Sequence, residues 1–303
     1  MIEGQEGVTW PQWQAIAAAC EEHGVASLFR SDHYLPLAGH EERPVLDAWG
    51  TICALAATTT TLRLGTLVSP ATFRHPANLA KLAVTADQVS GGRVSLGLGA
   101  GWHEREHEAF GFPFASTRER MDVFAEQLEI VRGLWSSDGP LRFDGPGAVV
   151  AAVDPQPKPQ APWLIVGGSA GPRSAALAAR FADEYNTVFA APDECRRRRA
   201  AVEQTWTEAG RSDLRFSVMT GSVLGRDRTE VADRSRALGE RIGDPSFAAP
   251  DGWISGTPDE AAEQLRRLAD AGADRVMLQL LLHEDVSQIE LIGGELAAAL
   301  AER

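Results

Sequence analysis

Residues 62–101 read LRLGTLVSPATFRHPANLAKLAVTADQVSGGRVSLGLGAG, and this stretch contains the repeating unit of the whole chain. The short apolar run 62–67 predicts a buried strand. Pro76 opens a stretch that predicts a helix over 76–89. Ser90-Gly91-Gly92-Arg93 predicts a turn, and 94–98 a second buried strand. Short apolar strands separated by amphipathic helices imply a parallel sheet covered on both faces.

The same unit extends in both directions. Towards the N-terminus, Thr9-Trp10-Pro11-Gln12 is a capping box with Pro in the first turn. It starts a helix that carries Trp13, Ile16, Ala17 and Cys20 at helical spacing and closes at Gly24. A strand over 25–29, a polar loop and a helix over 46–57 follow. Towards the C-terminus, Ser116-Thr117-Arg118-Glu119 caps a helix running to Trp135. Residues 138–162, with six of the 17 prolines, form an excursion with little helix. Alternation then resumes: strand 163–166, helix 172–182, strand 185–188, helix 193–209, strand 215–224 and helix 229–241. A Gly/Pro-rich loop over 243–256 leads to the box Thr257-Pro258-Asp259-Glu260, a helix ending at Gly272, strand 275–281 and helix 289–301.

Strand and helix thus alternate seven times after the first helix. With a first strand at Met1 to Glu3, shorter than an ordinary barrel strand, the count is eight, and eight strands close a barrel. The expected fold class is α/β: one (β/α)8 TIM-barrel domain over residues 1–303, with an insertion after the fourth βα unit and a short first strand. A doubly wound open sheet is the alternative.

The 29 basic and 42 acidic residues leave a formal net charge of −13. Such a surface argues against a nucleic-acid partner, which requires a Lys/Arg stripe. The basic run Arg196 to Arg199 reads as a solvated helix face. Cys20, Cys53 and Cys195 have no metal spacing and no CxxC, consistent with a reducing cytoplasm. No apolar run approaches membrane-spanning length, and the N-terminus has no signal-peptide pattern.

In a (β/α)8 barrel the loops that follow the strands build the active site. The candidates are therefore Glu3 and Gln5, Asp32 and His33, Thr66 and Ser69, the stretch Gly99 to His107, Gly167 to Ser169, and Gln279. An imidazole transfers protons near neutral pH and a neighbouring carboxylate tunes it, which marks His33 beside Asp32 as the catalytic pair. Val166-Gly167-Gly168-Ser169 followed by Gly171-Pro172 runs from strand to helix start, where backbone N–H groups seat a phosphate. Gly97-Leu98-Gly99-Ala100-Gly101 lacks the nicotinamide fingerprint and suits close approach to a planar ring. His103-Glu104-Arg105-Glu106-His107 satisfies zinc-peptidase patterns, but a glycine turn and a Phe-Gly-Phe-Pro stop confine it. It reads as a charged cap over the barrel mouth with no bound metal, and a zinc hydrolase is the rival that metal analysis would decide.

Taken in order, Glu3-Gly4-Gln5-Glu6-Gly7, Arg30-Ser31-Asp32-His33, Phe73-Arg74-His75-Pro76-Ala77, Gly97 through Glu104, Phe112-Pro113-Phe114, Pro157-Lys158-Pro159, Val166 through Ser169, and Ser255-Gly256-Thr257-Pro258 span nearly the whole chain. The ordered set resembles the luciferase-like monooxygenase superfamily, and most of all its actinobacterial members that use the deazaflavin coenzyme F420. The resemblance implies a ring lying across the strand C-termini, with His33 and Asp32 at its reactive face. The implied cofactor contacts are Asp32, Thr66, Leu67, Ser69, Gly99, Ala100, Gly101, His103, Gly167, Gly168 and Ser169. The last three would bind phosphate through their N–H groups, and residues 66–69 form a turn that in such barrels often carries a strained, sometimes cis, peptide. Glu184-Tyr185 stands where relatives commonly have Gly-Trp, which is expected to alter packing beside the phosphate turn. The implied function is F420-dependent hydride transfer to or from a small organic substrate. An FMN-dependent monooxygenase and a non-catalytic flavin-binding barrel are the alternatives. Oligomeric state stays open, with a homodimer paired through helices as the form such barrels often take.

Overall fold

The structure, a computed structural model, describes residues 1–37, 42–244 and 246–302. Part of the polar loop after His33, and Pro245 in the 243–256 loop, lie outside the described residues.

The caps expected from sequence set the helix starts. Thr9 and Gln12 form the box that opens α1 (Trp10–Glu22), which leads to β1 (Ser27–Arg30). Asp47 accepts from the Gly50 N–H to start α2 (Ala48–Thr58), which precedes β2 (Arg63–Thr66) and the two-residue β3 (Ser69–Pro70). Pro in its first turn and left-handed Gly91 bound α3 (Pro76–Ser90), which feeds β4 (Val94–Gly99). The short α4 (Glu104–Phe110) precedes α5 (Thr117–Ser136), opened by the Ser116/Glu119 box.

The excursion at 138–162 is more ordered than its composition suggests. It holds β5 (Leu141–Asp144) and β6 (Val149–Val153), an antiparallel hairpin apart from the main sheet. Then come β7 (Trp163–Gly167), α6 (Pro172–Phe181), β8 (Glu184–Val188), α7 (Pro192–Glu208), β9 (Arg215–Leu224) and α8 (Arg228–Ile242). The 243–256 loop ends in a strand that the sequence reading missed, β10 (Ile254–Gly256), where Ile254 is buried against the end of β9. The Thr257/Glu260 box opens α9 (Pro258–Asp270), and β11 (Arg275–Gln279) follows. The last helix is continuous but changes pitch, as α10 (Ser287–Leu291), a π turn (Ile292–Leu296) and α11 (Ala297–Ala301).

The main sheet is curled and parallel, in the order β1-β2-β4-β7-β8-β9, with β3 beside β4. Strand β9 is long enough to take β11 along Ser217 to Gly221 and β10 along Ser222 to Leu224. The expected first strand reduces to Ile2, which makes parallel bridges to both Arg30 and Leu280 and so touches the two ends of the strand series. The main core lies between the sheet and its helices, including the fully buried Trp13, Trp49 and Trp206. A smaller core of Met1, Phe29, Leu67, Ile165, Met219 and Met277 fills the inside of the curl. No helix among the described residues is long and apolar enough to cross a membrane.

Candidate active site

The C-terminal ends of the strands surround a cavity of about 610 Å³, within the usual size range of ligand pockets. Its floor is shaped by one side chain. After the cis Leu67–Val68 peptide, Val68 lies against glycines from two neighbouring strands. A Cβ at Gly99 would come to 2.7 Å from Val68 Cγ2, and one at Gly167 to 2.8 Å from Val68 Cγ1. A Cβ at Gly97 would run into the Thr66 carbonyl. The glycine density after β4, read from sequence as room for a ring, is therefore also room for the protein's own turn.

One side of the cavity is polar. Gln279 Nε2 and Gln5 Nε2 donate to the two oxygens of buried Glu3 at 2.6 and 2.7 Å, and Ser31 Oγ donates to Gln5 Oε1. The outer wall is aromatic: Phe189 and Trp253 lie near-parallel at 6.4 Å, and Trp102 also lines the cavity. Gly221 has no side chain because the Trp253 ring occupies that space. Two cations also line the cavity and both are matched: Arg43 pairs with Glu6, and Arg241 pairs with Glu284 at 3.0 Å and donates to the Glu6 carbonyl at 2.8 Å.

His33 faces this cavity, and its Nδ1 lies 2.8 Å from Glu106 Oε2. A carboxylate only accepts, so Nδ1 carries the proton and Nε2 is left to the cavity. Glu106 is completely buried. Its other oxygen accepts from the Tyr34 N–H and, at 3.1 Å, from the Leu35 N–H. Burial alone would lower the His33 pKa, but the hydrogen bond and charge of Glu106 outweigh it and hold the imidazolium above the ordinary value. Burial works to raise Glu106, yet His33 and the two N–H donors bring it below the usual carboxylate range.

Asp32, expected beside His33 at the ring face, instead points away from the cavity. It is fully buried and clamped by Arg74 at 2.6 and 3.1 Å and by Ser69 Oγ at 2.6 Å. Ser69 in turn accepts from Trp49 Nε1 at 3.0 Å, and Thr66 Oγ1 donates to the Gly97 carbonyl at 3.1 Å. Asp32, Thr66 and Ser69 therefore hold the loops together. Leu67, Gly99, Ala100, Gly101, Gly167 and Gly168 line the cavity.

The phosphate turn needs a correction at Gly168. Its N–H donates to the Asn186 carbonyl at 3.0 Å, as a continuation of the β7–β8 ladder, so it has no donor left for a ligand. Tyr185 explains the Glu-Tyr departure: its hydroxyl accepts from the Ala170 N–H at 2.8 Å and lies 2.8 Å from Ser174 Oγ. The N–H groups of Ser169 and Gly171 have no partner among the described residues, and Ser169 is exposed. They adjoin the N-terminus of α6, whose first-turn amides point the same way.

The charged motif is not a solvent cap, because Glu106 and His107 are buried. Both His107 nitrogens are engaged, Nε2 with Thr72 Oγ1 at 2.7 Å and Nδ1 with the His103 carbonyl at 2.7 Å, so the HExxH pair does not assemble. His103 is the N-cap residue of α4, and its Nδ1 lies 3.6 Å from Glu106 Oε2. A different trio, His33, His103 and Glu106, brings one potential ligand atom each within 4.8 Å of one another. The sequence reading missed Glu106 and Arg74. Each lay inside a quoted motif, but nothing in the spacing marks which of two glutamates turns inward.

Over residues 2–247 the chain matches the luciferase-like monooxygenase family. A Nocardia farcinica protein named F420-dependent glucose-6-phosphate dehydrogenase is 30% identical, covering 94% of this chain and 92% of its own. An F420-dependent secondary alcohol dehydrogenase, solved with an F420–acetone adduct, superposes with a TM-score of 0.81 at 23% identity, covering 97% and 96%. The oxygenating constituent of a Pseudomonas putida 3,6-diketocamphane monooxygenase, solved with FMN, gives 0.74 at 21%, covering 98% and 97%. At these identities the two structures establish the fold alone.

Proposed function

This chain belongs to the luciferase-like monooxygenase family, and from that premise we propose that it is an oxidoreductase transferring hydride between coenzyme F420 and a small organic substrate. The observation that carries the reading is the His33–Glu106 pair, which presents an imidazole nitrogen to the cavity. The relatives' names favour F420. The deazaflavin supplies hydride as a two-electron carrier when bound. The site fits such a group: the Val68, Gly99 and Ala100 floor presents no bulky side chain to a planar ring, and Ser169, Gly171 and the start of α6 offer N–H donors to a phosphate.

This chain's residues handle the proton and the orientation. His33 Nε2 takes a proton from a hydroxyl being oxidised or returns one to an oxygen being reduced, while Glu106 stabilises the imidazolium that forms. Trp102, Phe189 and Trp253 exclude water from one face. The Glu3, Gln5, Ser31 and Gln279 strip orients the polar end of the substrate. Asp32 acts at one remove, by fixing the loop that carries His33.

We read the curled sheet as a (β/α)8 barrel forming one domain over 1–303, with Ile2 standing for its first strand. The double bridge of Ile2 supports this. Titrating F420 and FMN at equal ionic strength by fluorescence quenching tests the cofactor. F420 is expected to bind more tightly, and tighter FMN binding overturns the assignment.

A further inference from the structure

The charges around the active-site cavity are unevenly matched. Among the described residues, Arg43 and Arg241 are the only Arg or Lys side chains that line it. Arg43 pairs with Glu6, whose other oxygen accepts from the Leu37 N–H at 2.7 Å, so withdrawing Arg43 takes an ion-pair partner from a buried carboxylate. Arg241 divides its donors among Glu284, the Glu6 carbonyl and, at 3.2 Å, His283 Nδ1. Neither guanidinium is free to pair with a ligand.

The buried carboxylate of the cavity wall, in contrast, has no counter-ion in contact. Glu3 accepts from the Gln5 and Gln279 amides, which give hydrogen bonds but no charge, and it forms no ion pair among the described residues. Arg30, a buried cation that does not line the cavity, directs its donors to the Ser31, Leu46 and Asp47 carbonyls and to Thr51. A phosphate or carboxylate entering here loses its hydration, meets Glu3 as a like charge and finds no free cation. Much of the remaining lining is apolar. Trp102 stands edge-on to His33 with ring centroids 5.8 Å apart, so an aromatic surface begins beside the imidazole. Trp253 is fitted over Gly221, where any side chain would collide with its ring.

We propose that the substrate of this site is an uncharged alcohol, or the carbonyl compound it interconverts with, carried on a planar apolar body. The pairing of Arg43 with Glu6 and of Arg241 with Glu284 turns away phosphate esters and carboxylates. This rests on the oxidoreductase reading above and narrows its substrate class. The reacting oxygen lies at His33, and the flat body lies against Trp102, Phe189 and Trp253, whose rings favour offset or edge-on contact with another ring. Of the two ion pairs, that of Arg241 is the one a single change opens. Its partner Glu284 has a half-exposed side chain, whereas Glu6 is buried.

Calorimetric titration tests this with three forms of one probe, 1-(2-naphthyl)ethanol carrying a methyl, carboxylate or aminomethyl group on its distal ring. Each is run with and without saturating F420, so failure of the cofactor reading and failure of the charge ranking show separately. The expected result is binding of the methyl form, with the carboxylate weaker by at least about tenfold. Glu284→Gln should raise carboxylate affinity by about two- to fivefold, the scale of one partly exposed charge contact, and leave the methyl form unchanged. Carboxylate binding as tight as that of the methyl form overturns the proposal, and so does absence of binding by the methyl form. Tighter binding of the aminomethyl form, an ammonium, overturns it in favour of a cationic substrate at Glu3. Carboxylate affinity unmoved in Glu284→Gln overturns the role given to the Arg241 pair.

Discussion

Replacing Glu106 by Gln tests the proton-handling assignment most sharply, because the amide fits the same space and changes what His33 can do. In the native site one Glu106 oxygen is held by the Tyr34 and Leu35 N–H groups and the other accepts from His33 Nδ1. A glutamine keeps its oxygen on the two backbone donors, so its NH2 group faces the imidazole. Neutral His33 must then accept at Nδ1 and carry its proton on Nε2, the wrong tautomer for a base at the cavity face. The imidazolium would set one N–H against another. Loss of a hydrogen bond between charged partners costs about 1.5–3 kcal/mol, and loss of general acid–base action slows a reaction by ~10²–10⁴-fold. The expected result for Glu106→Gln is F420 affinity near wild type and a single-turnover rate lower by about two to four orders of magnitude. The pH dependence also changes. The raised His33 pKa contributes stability that is complete below the unfolded value, about 6.5, and is lost as pH rises through the folded value. Without the Glu106 charge the largest raising influences are lost and only Glu3 and Asp32 still oppose burial, so the His33 pKa falls and the variant keeps less of its stability on acidification than the wild type. Urea titrations from about pH 5 to about pH 8, with NMR titration of the imidazole, read both effects. A variant with wild-type single-turnover rate and an unmoved His33 pKa refutes the reasoning.

Asp32→Asn leaves Arg74 without its buried carboxylate partner. The variant should lose about 3–5 kcal/mol in urea unfolding, far more than it loses in affinity for F420. Gly168→Ala places a Cβ 2.5 Å from the Tyr185 hydroxyl and should destabilise by about 1–3 kcal/mol. In a double-mutant cycle Tyr185→Phe should recover part of that loss, and strict additivity would show that the crowding lies elsewhere. His33→Ala should retain F420 affinity and lose the chemical step by about 10²–10⁴-fold, and a wild-type rate removes His33 from the proton path. Elemental analysis of purified protein should find no stoichiometric zinc. Zinc that disappears in His103→Ala would make the His33, His103 and Glu106 trio a metal centre.

Most of the architecture was legible because caps and short apolar runs are local signals. The boxes at Thr9, Ser116 and Thr257 start helices where they were read. Two strand features escaped. The 141–153 hairpin alternates over only the four residues of its first strand and has exposed valines in its second, and β10 spans three residues whose pairing depends on the distant end of β9. In the site, the sequence reading paired His33 with Asp32, whereas the carboxylate that hydrogen-bonds its imidazole is Glu106. Asp32 is adjacent in the chain, whereas Glu106 arrives from another loop, and proximity across 73 positions leaves no trace in spacing. The glycines were assigned to a ligand because nothing in one dimension shows that Val68 already fills part of their space.

That nesting of Val68 has a consequence for how the chain can be varied. Gly99 and Gly167 belong to different strands, yet their freedom to change is controlled by residue 68. Neither glycine can accept a methyl group while valine stays, and a smaller residue at 68 would release both. An engineer reshaping the floor would therefore begin at position 68 and vary the glycines second. Libraries that mutate the glycines one at a time meet the Val68 contact in every variant, and paired changes relieve it.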